Sequence, residues 1–105
     1  MWTVLLTDDA IAELEALPED QQAWFTSIRL LIEEHGLTRL RMPHVRHIEG
    51  VLWEIRLKGE AGISRARYVV RSGQRVIVVR VFVKKTEKTP RREIKLALKR
   101  AKEIE

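Results

Sequence analysis

The chain has no cysteine in 105 residues, which removes disulfide scaffolds and zinc–thiolate centres at the outset. Histidine is scarce, with three in all. His44 and His47 have no third ligand beside them, and His35 falls at a predicted helix end, where a cation complements the dipole. No metal or other cofactor is expected. No apolar run approaches the roughly 18 residues of a membrane helix. The first residues, MWTVLLTDD, lack a basic leader and turn acidic at once, so a soluble, cytoplasmic chain without membrane contact is expected. Also missing are a Walker loop, GxGxxG, HExxH and a nucleophile elbow. There are no repeats, linkers or low-complexity segments, and residues 1–105 read as one domain.

What is present is charge, unevenly placed. Residues 1–50 hold four Lys/Arg and nine Asp/Glu, a net −5, whereas residues 51–105 hold 16 and six, a net +10. A basic half on a small domain is the electrostatic footprint of a phosphate-bearing partner, with an acidic protein as the competing partner.

The segment WTVLL, residues 2–6, reads as a short strand. Thr7 or Asp8 can cap the helix that follows, whose apolar stripe is Ile11, Leu14 and Leu17 and which Pro18 stops. Glu19 and Asp20 open a second helix in which Trp24, Ile28, Leu31 and Ile32 recur at helical spacing, and Gly36 suits its end. Residues 37–50, broken by Pro43 and Gly50, read as irregular. Three strands follow, at 51–59, 63–71 and 75–85, with Ser72 and Gly73 turning between the last two. Thr89 is placed to cap a last helix with Pro90 at its first position. The order of elements predicts an α+β fold: an N-terminal strand and helical hairpin packed on a small antiparallel sheet, with a C-terminal helix.

Alternation along the strands assigns faces. Trp53, Ile55 and Leu57, with Ala66, Tyr68 and Val70, face the helices. Arg56, Arg65 and Arg67 face away, and by the same count so do Arg80 and Lys84. That count puts Arg80 with Val78 and Phe82, and turns Lys85 to the other side. Like charges crowded on a sheet repel. An anion relieves the repulsion; so does fanning into solvent or pairing with Glu54 and Glu60. Such a pocket has the outline needed to cut RNA without metal. Arginines neutralise charge growing on phosphoryl oxygens, and a lysine among arginines has a depressed pKa and can take a proton. A pure phosphate-binding face would look the same.

The runs GVLWEIRLKG, SRARY and VRVFVKKTEKTPRREIKLALKR resemble the HigB-like, phage-derived branch of the RelE/ParE toxin superfamily, whose strands carry "LWE(L/I)R" and "FxKKTxKTPxxEI". The resemblance is close over residues 50–104. It implies the toxin of a type II toxin–antitoxin system: a ribosome-dependent, metal-independent endoribonuclease that cleaves translated mRNA. The implied partners are the ribosome and its mRNA, and a cognate helix-turn-helix antitoxin. Carried over by position, the family's basic strand residues fall on Arg56 and Arg65, with Tyr68 three further on, and its paired lysines on Lys84 and Lys85. Two positions depart from the pattern. Ser64 stands where an aromatic is common, and Arg80 where many members carry a histidine.

The resulting assignment makes Arg65 the clamp on the scissile phosphate, Arg56 the stabiliser of its growing charge, and Lys84 the base nearest the 2′-hydroxyl. Arg67, Tyr68, Arg80, Lys85, Lys88, Arg91 and Arg92 are assigned to RNA and ribosome binding. Two alternatives remain: a non-catalytic gyrase poison of the ParE type, and a basic module that docks an acidic partner.

Overall fold

A computed structural model of the chain describes residues 1–39, 45–60, 62–84 and 90–104. The N-terminal strand β1 (Thr3–Leu6) runs directly into α1 (Asp8–Glu15). Thr7 makes that junction, its hydroxyl accepting the Ala10 amide at 3.1 Å, while Asp8 and Asp9 occupy the first turn, where the dipole favours negative charge. After Pro18, α2 (Glu19–His35) follows and ends at Gly36. Glycine suits position 36 for its backbone, and space there is tight as well. Its φ of 86° suits glycine, and a Cβ would sit 3.1 Å from the Trp2 indole nitrogen.

The sheet holds five strands in the order β1-β5-β4-β3-β2, with β2 (Val45–Glu49), β3 (Leu52–Gly59), β4 (Gly62–Arg71) and β5 (Arg75–Val83). The helical hairpin covers one face. Phe25, Ile28 and Ile32 bury against Ile55, Leu57, Ala66, Tyr68, Val78 and Val81. The C-terminal helix α3 (Arg91–Lys102) covers part of the other face, where Ala97 and Ala101 pack on Leu52, Val69, Ile77 and Val79. No helix among the described residues is long and apolar enough to cross a membrane.

The α+β class and the order of the long elements agree with the sequence. Four points differ. The stretch read as irregular contains β2, preceded by a single 3₁₀ turn at Leu37–Arg39. The sheet is mixed rather than purely antiparallel, because β1 pairs parallel with β5 in the register Val4↔Val76. The face turned away from the hairpin is not wholly open, since α3 occupies part of it. Finally, a bulge interrupts β5. Arg67 pairs with Arg80 but Tyr68 with Val78, so Val79 is an extra residue. Val78 therefore packs towards the hairpin and Val79 towards α3. Arg80 thus does not share a face with Val78. The cap expected at Thr89 lies outside the described residues; Pro90 itself takes the N-cap position.

The tip of the β3–β4 hairpin is tied to the start of α2. Asp20 accepts the Glu60 amide at 2.6 Å, and a Cβ at Gly59 would lie 2.5 Å from the same carboxylate. Beside it, buried Gln21 donates to the Gly62 carbonyl and accepts from the Ser64 hydroxyl.

Candidate functional site: a cation cluster on the sheet

Strand register builds the site. Arg46 on β2 pairs with Glu54 on β3, Glu54 with Arg67 on β4, and Arg67 with Arg80 on β5. One row of four charged residues thus crosses four strands. In the next row Arg56 faces Arg65, and Arg65 faces Phe82. Lys84 follows at the end of β5, its amide bonded to the Ile63 carbonyl at 3.1 Å.

Glu54 lies at the centre, only 3% exposed. One carboxylate oxygen accepts from Arg67 Nε at 2.8 Å; the other lies 3.3 Å from Arg46 Nη2 and 3.4 Å from Arg65 Nε. Arg65 and Arg67 are buried. The Arg67 guanidinium also lies over the Phe82 ring, 5.1 Å from its centroid. Arg65 differs from its neighbours. Its Nε and Nη1 are buried and have no hydrogen-bond acceptor among the described residues, a state that costs roughly 1–3 kcal/mol per group. Burial, first of all, lowers the pKa of Arg65; Glu54 opposes this, and Arg56, Arg46 and Arg67 add to the lowering. The Lys84 amine is also pushed down, first by burial and then by Arg65 and Arg46, with Glu54 opposing and Arg56 adding a smaller push. Lys84 further lines an open cleft of about 580 Å³ between α1, the end of β5 and the start of α3, together with Glu13, Arg80, Phe82 and Arg92.

Arg80 belongs to a different set of contacts. Strand β1 stops pairing at Val78, and beyond it side chains satisfy the edge of β5: Glu13 accepts the Val81 amide at 3.0 Å, and Arg100 donates to the Val79 carbonyl at 2.9 Å. Arg80 is held between Glu93, at 2.9 Å and 3.0 Å, and Glu13. Burial would lower its pKa, but the hydrogen bonds and charges of Glu93 and Glu13 outweigh it and raise it. The network of Arg80, Glu13, Glu93 and Arg100 joins α1, β5 and α3.

The residues singled out in the sequence therefore fall in distinct places. Arg56, Arg65 and Lys84 come together on one face, with Arg67 beside them. Tyr68 is in the core on the hairpin side, 2% exposed, with its hydroxyl pushed up to about 12 by burial; this placement gives it a packing role. Arg91 is exposed and pairs bidentately with Glu49 at the end of β2. Arg92 is exposed at the cleft. Lys85 and Lys88 lie outside the described residues, as does His44, while the His47 ring lies tilted against Trp53 with the centroids 4.9 Å apart. Pairing with Glu54, one of the ways of relieving the arginines' repulsion, is realised for Arg65 and Arg67. Arg46 was missed, and Glu54 was read only as one of two carboxylates the arginines could pair with, not as the centre of the cluster. Glu54 was legible as sharing the face of Arg56 by alternation. Arg46 was hidden because Pro43 and Gly50 frame β2 as a loop.

The family model described as "Phage derived protein Gp49-like" matches residues 12–102. Among solved structures, the chain is similar in fold to one from the intact E. coli RelBE toxin–antitoxin complex, at 14% identity and a TM-score of 0.58, covering 82% of this chain and 100% of that one. A chain of the archaeal RelE–RelB complex from Pyrococcus horikoshii OT3 is similar at 19% identity and 0.58, with 80% and 96% covered. A third, from the RelBE2 complex of Mycobacterium tuberculosis, is similar at 18% and 0.52, with 79% and 98% covered. No curated protein sequence matches.

Proposed function

The chain belongs to the phage-derived Gp49-like family, and from that premise we propose that it is the toxin of a type II toxin–antitoxin system, a ribosome-dependent endoribonuclease that cleaves translated mRNA. The observation that carries this reading is Arg65: a buried guanidinium with two N–H groups that lack an acceptor among the described residues, set among Arg46, Arg56, Arg67 and Lys84. A phosphodiester supplies the missing acceptor oxygens. Support for a toxin comes from the fold shared with chains of RelE–RelB complexes.

In the proposed reaction the ribose 2′-hydroxyl attacks the adjacent phosphorus. Its proton passes to the neutral amine of Lys84, whose depressed pKa raises the fraction able to accept it. Arg65 and Arg56 hold the phosphoryl oxygens as their negative charge grows. The bond to the 5′ oxygen breaks, leaving a cyclic phosphate, and the departing oxygen takes a proton from water. Arg80 stands where many relatives have a histidine. Held between two carboxylates with a raised pKa, it gives up no proton at neutral pH and acts here as a structural cation.

The proposed partners are the ribosome, the mRNA and a cognate helix-turn-helix antitoxin that covers the cluster with carboxylates. The site sits in the cytoplasm, where translation takes place. The decisive experiment is a translation reaction followed by primer extension on the message. Discrete cuts that appear only with ribosomes support the reading. Growth arrest with an intact message would overturn it and favour a gyrase poison of the same fold.

A further inference from the structure

We infer that Glu54 is a positioning residue of this site, a built-in counter-anion that holds Arg46, Arg65 and Arg67 in the arrangement that receives an RNA phosphate. The inference rests on reading the cluster as a phosphate site. Its ground is geometric. Glu54 stands in register between Arg46 and Arg67, and its two oxygens reach three guanidiniums on the two flanking strands, Arg46 on β2 and Arg65 and Arg67 on β4. A carboxylate as buried as this one persists only when paired. The pairing is unequal. Arg67 gives it a well-formed hydrogen bond at 2.8 Å. Arg65, at 3.4 Å, is held by charge while its Nε and Nη1 find no acceptor among the described residues. Glu54 therefore anchors Arg65 by charge, without a hydrogen bond to Nε or Nη1.

The same carboxylate has a second effect. Among the described residues, Arg46, Arg65 and Arg67 lie against it, Lys84 feels its charge, and Arg56 acts on Arg65 and Lys84. Without Glu54 they repel one another and splay. With it they stay ordered, but a negative charge sits beside the place a phosphate must occupy. Glu54 thus orients the donors for the transition state and weakens binding in the ground state. Turnover and binding should separate when its charge is removed, whereas a purely structural lesion weakens both together.

The test uses single-turnover cleavage on programmed ribosomes at varied toxin concentration, together with binding of an uncleavable 2′-deoxy oligonucleotide. For Glu54→Gln, which keeps the shape and an acceptor for Arg67, the maximal rate should fall about 10²-fold and the oligonucleotide should bind several-fold tighter. A proportional loss of both overturns the inference, as does a wild-type rate. Removing the charge can also unfold the chain by taking away the carboxylate that Arg65 and Arg67 share, so Glu54→Asp serves as the second variant. It keeps the charge and withdraws it by one methylene, and should bind as wild type does but cut more slowly. A wild-type rate in Glu54→Asp also overturns the inference. If the wild-type protein binds the oligonucleotide, cuts nothing, and Glu54→Gln binds more tightly, the nuclease reading fails while the counter-anion stands. If neither protein binds the oligonucleotide, both fail.

Discussion

Arg65 Nε and Glu54 Oε2 lie 3.4 Å apart, near enough for charge to hold them together, yet among the described residues Arg65 makes no hydrogen bond through Nε or Nη1. A buried cation in this state contributes little to folding. Replacing Arg65 by methionine, of similar length and without charge, removes two unsatisfied donors and one member of a repelling cluster, while Glu54 keeps Arg46 and Arg67. Buried ionic groups replaced by apolar ones of similar volume often leave stability unchanged or raised. Arg65→Met should therefore melt at or above the wild-type temperature while cleaving about 10²–10³-fold more slowly. A drop in melting temperature with cleavage retained would assign Arg65 to the fold instead of the site.

Lys84 predicts the pH dependence of cleavage. Burial, then Arg65 and Arg46, lower its pKa from the ordinary 10.5. Its neutral form accordingly becomes available at lower pH than in a free lysine. The single-turnover rate should rise with pH and level off below 10.5. In Lys84→Arg, which keeps the charge and gives up no proton in this range, the rising limb should vanish. A limb that survives in Lys84→Arg means that another group is the base.

Tyr68 predicts the alkaline limit of the fold. It is the only tyrosine, so its ionisation can be followed directly by ultraviolet absorbance. Burial raises its pKa from 10.0 to about 12. The folded state thus favours the neutral phenol. The stability this represents is intact below pH 10 and is lost as the pH rises towards 12, amounting to about 2–3 kcal/mol. Urea unfolding across this window should show the decline, and Tyr68→Phe should flatten it. An unchanged slope in Tyr68→Phe would place the alkaline loss elsewhere.

Gly59 and Asp20 should behave as a coupled pair. A Cβ at residue 59 would lie 2.5–2.7 Å from the Asp20 carboxylate atoms, and that carboxylate also accepts the Glu60 amide. Gly59→Ala should destabilise by about 1–3 kcal/mol, the range for overpacking. In an Asp20→Ala background most of that cost should disappear. Additive effects of the two changes, measured as a double-mutant cycle, would mean that the hairpin tip and α2 do not press on each other.

Short-range rules settle much of this protein. Thr7 before two aspartates starts α1, Pro18 and Gly36 bound α2, and alternation places Arg56, Arg65 and Arg67 on one face of neighbouring strands. Each depends on residues a few positions apart along one chain segment, so each is legible without a partner. The features that define the site are not of this kind. The bulge at Val79 arises where β4 and β5 must keep pairing while Val78 and Val81 both pack on the hairpin layer. Strand β2 exists because β3 offers it an edge, and only that pairing brings Arg46 to Glu54. Arg65 and Arg67 alternate like surface residues, yet both are buried. The charge pattern of the sequence by itself determined that this face is cationic. Tertiary structure decided that it encloses a carboxylate, because the approach of Glu54 to three guanidiniums is set by register across three strands, a property that no single strand contains.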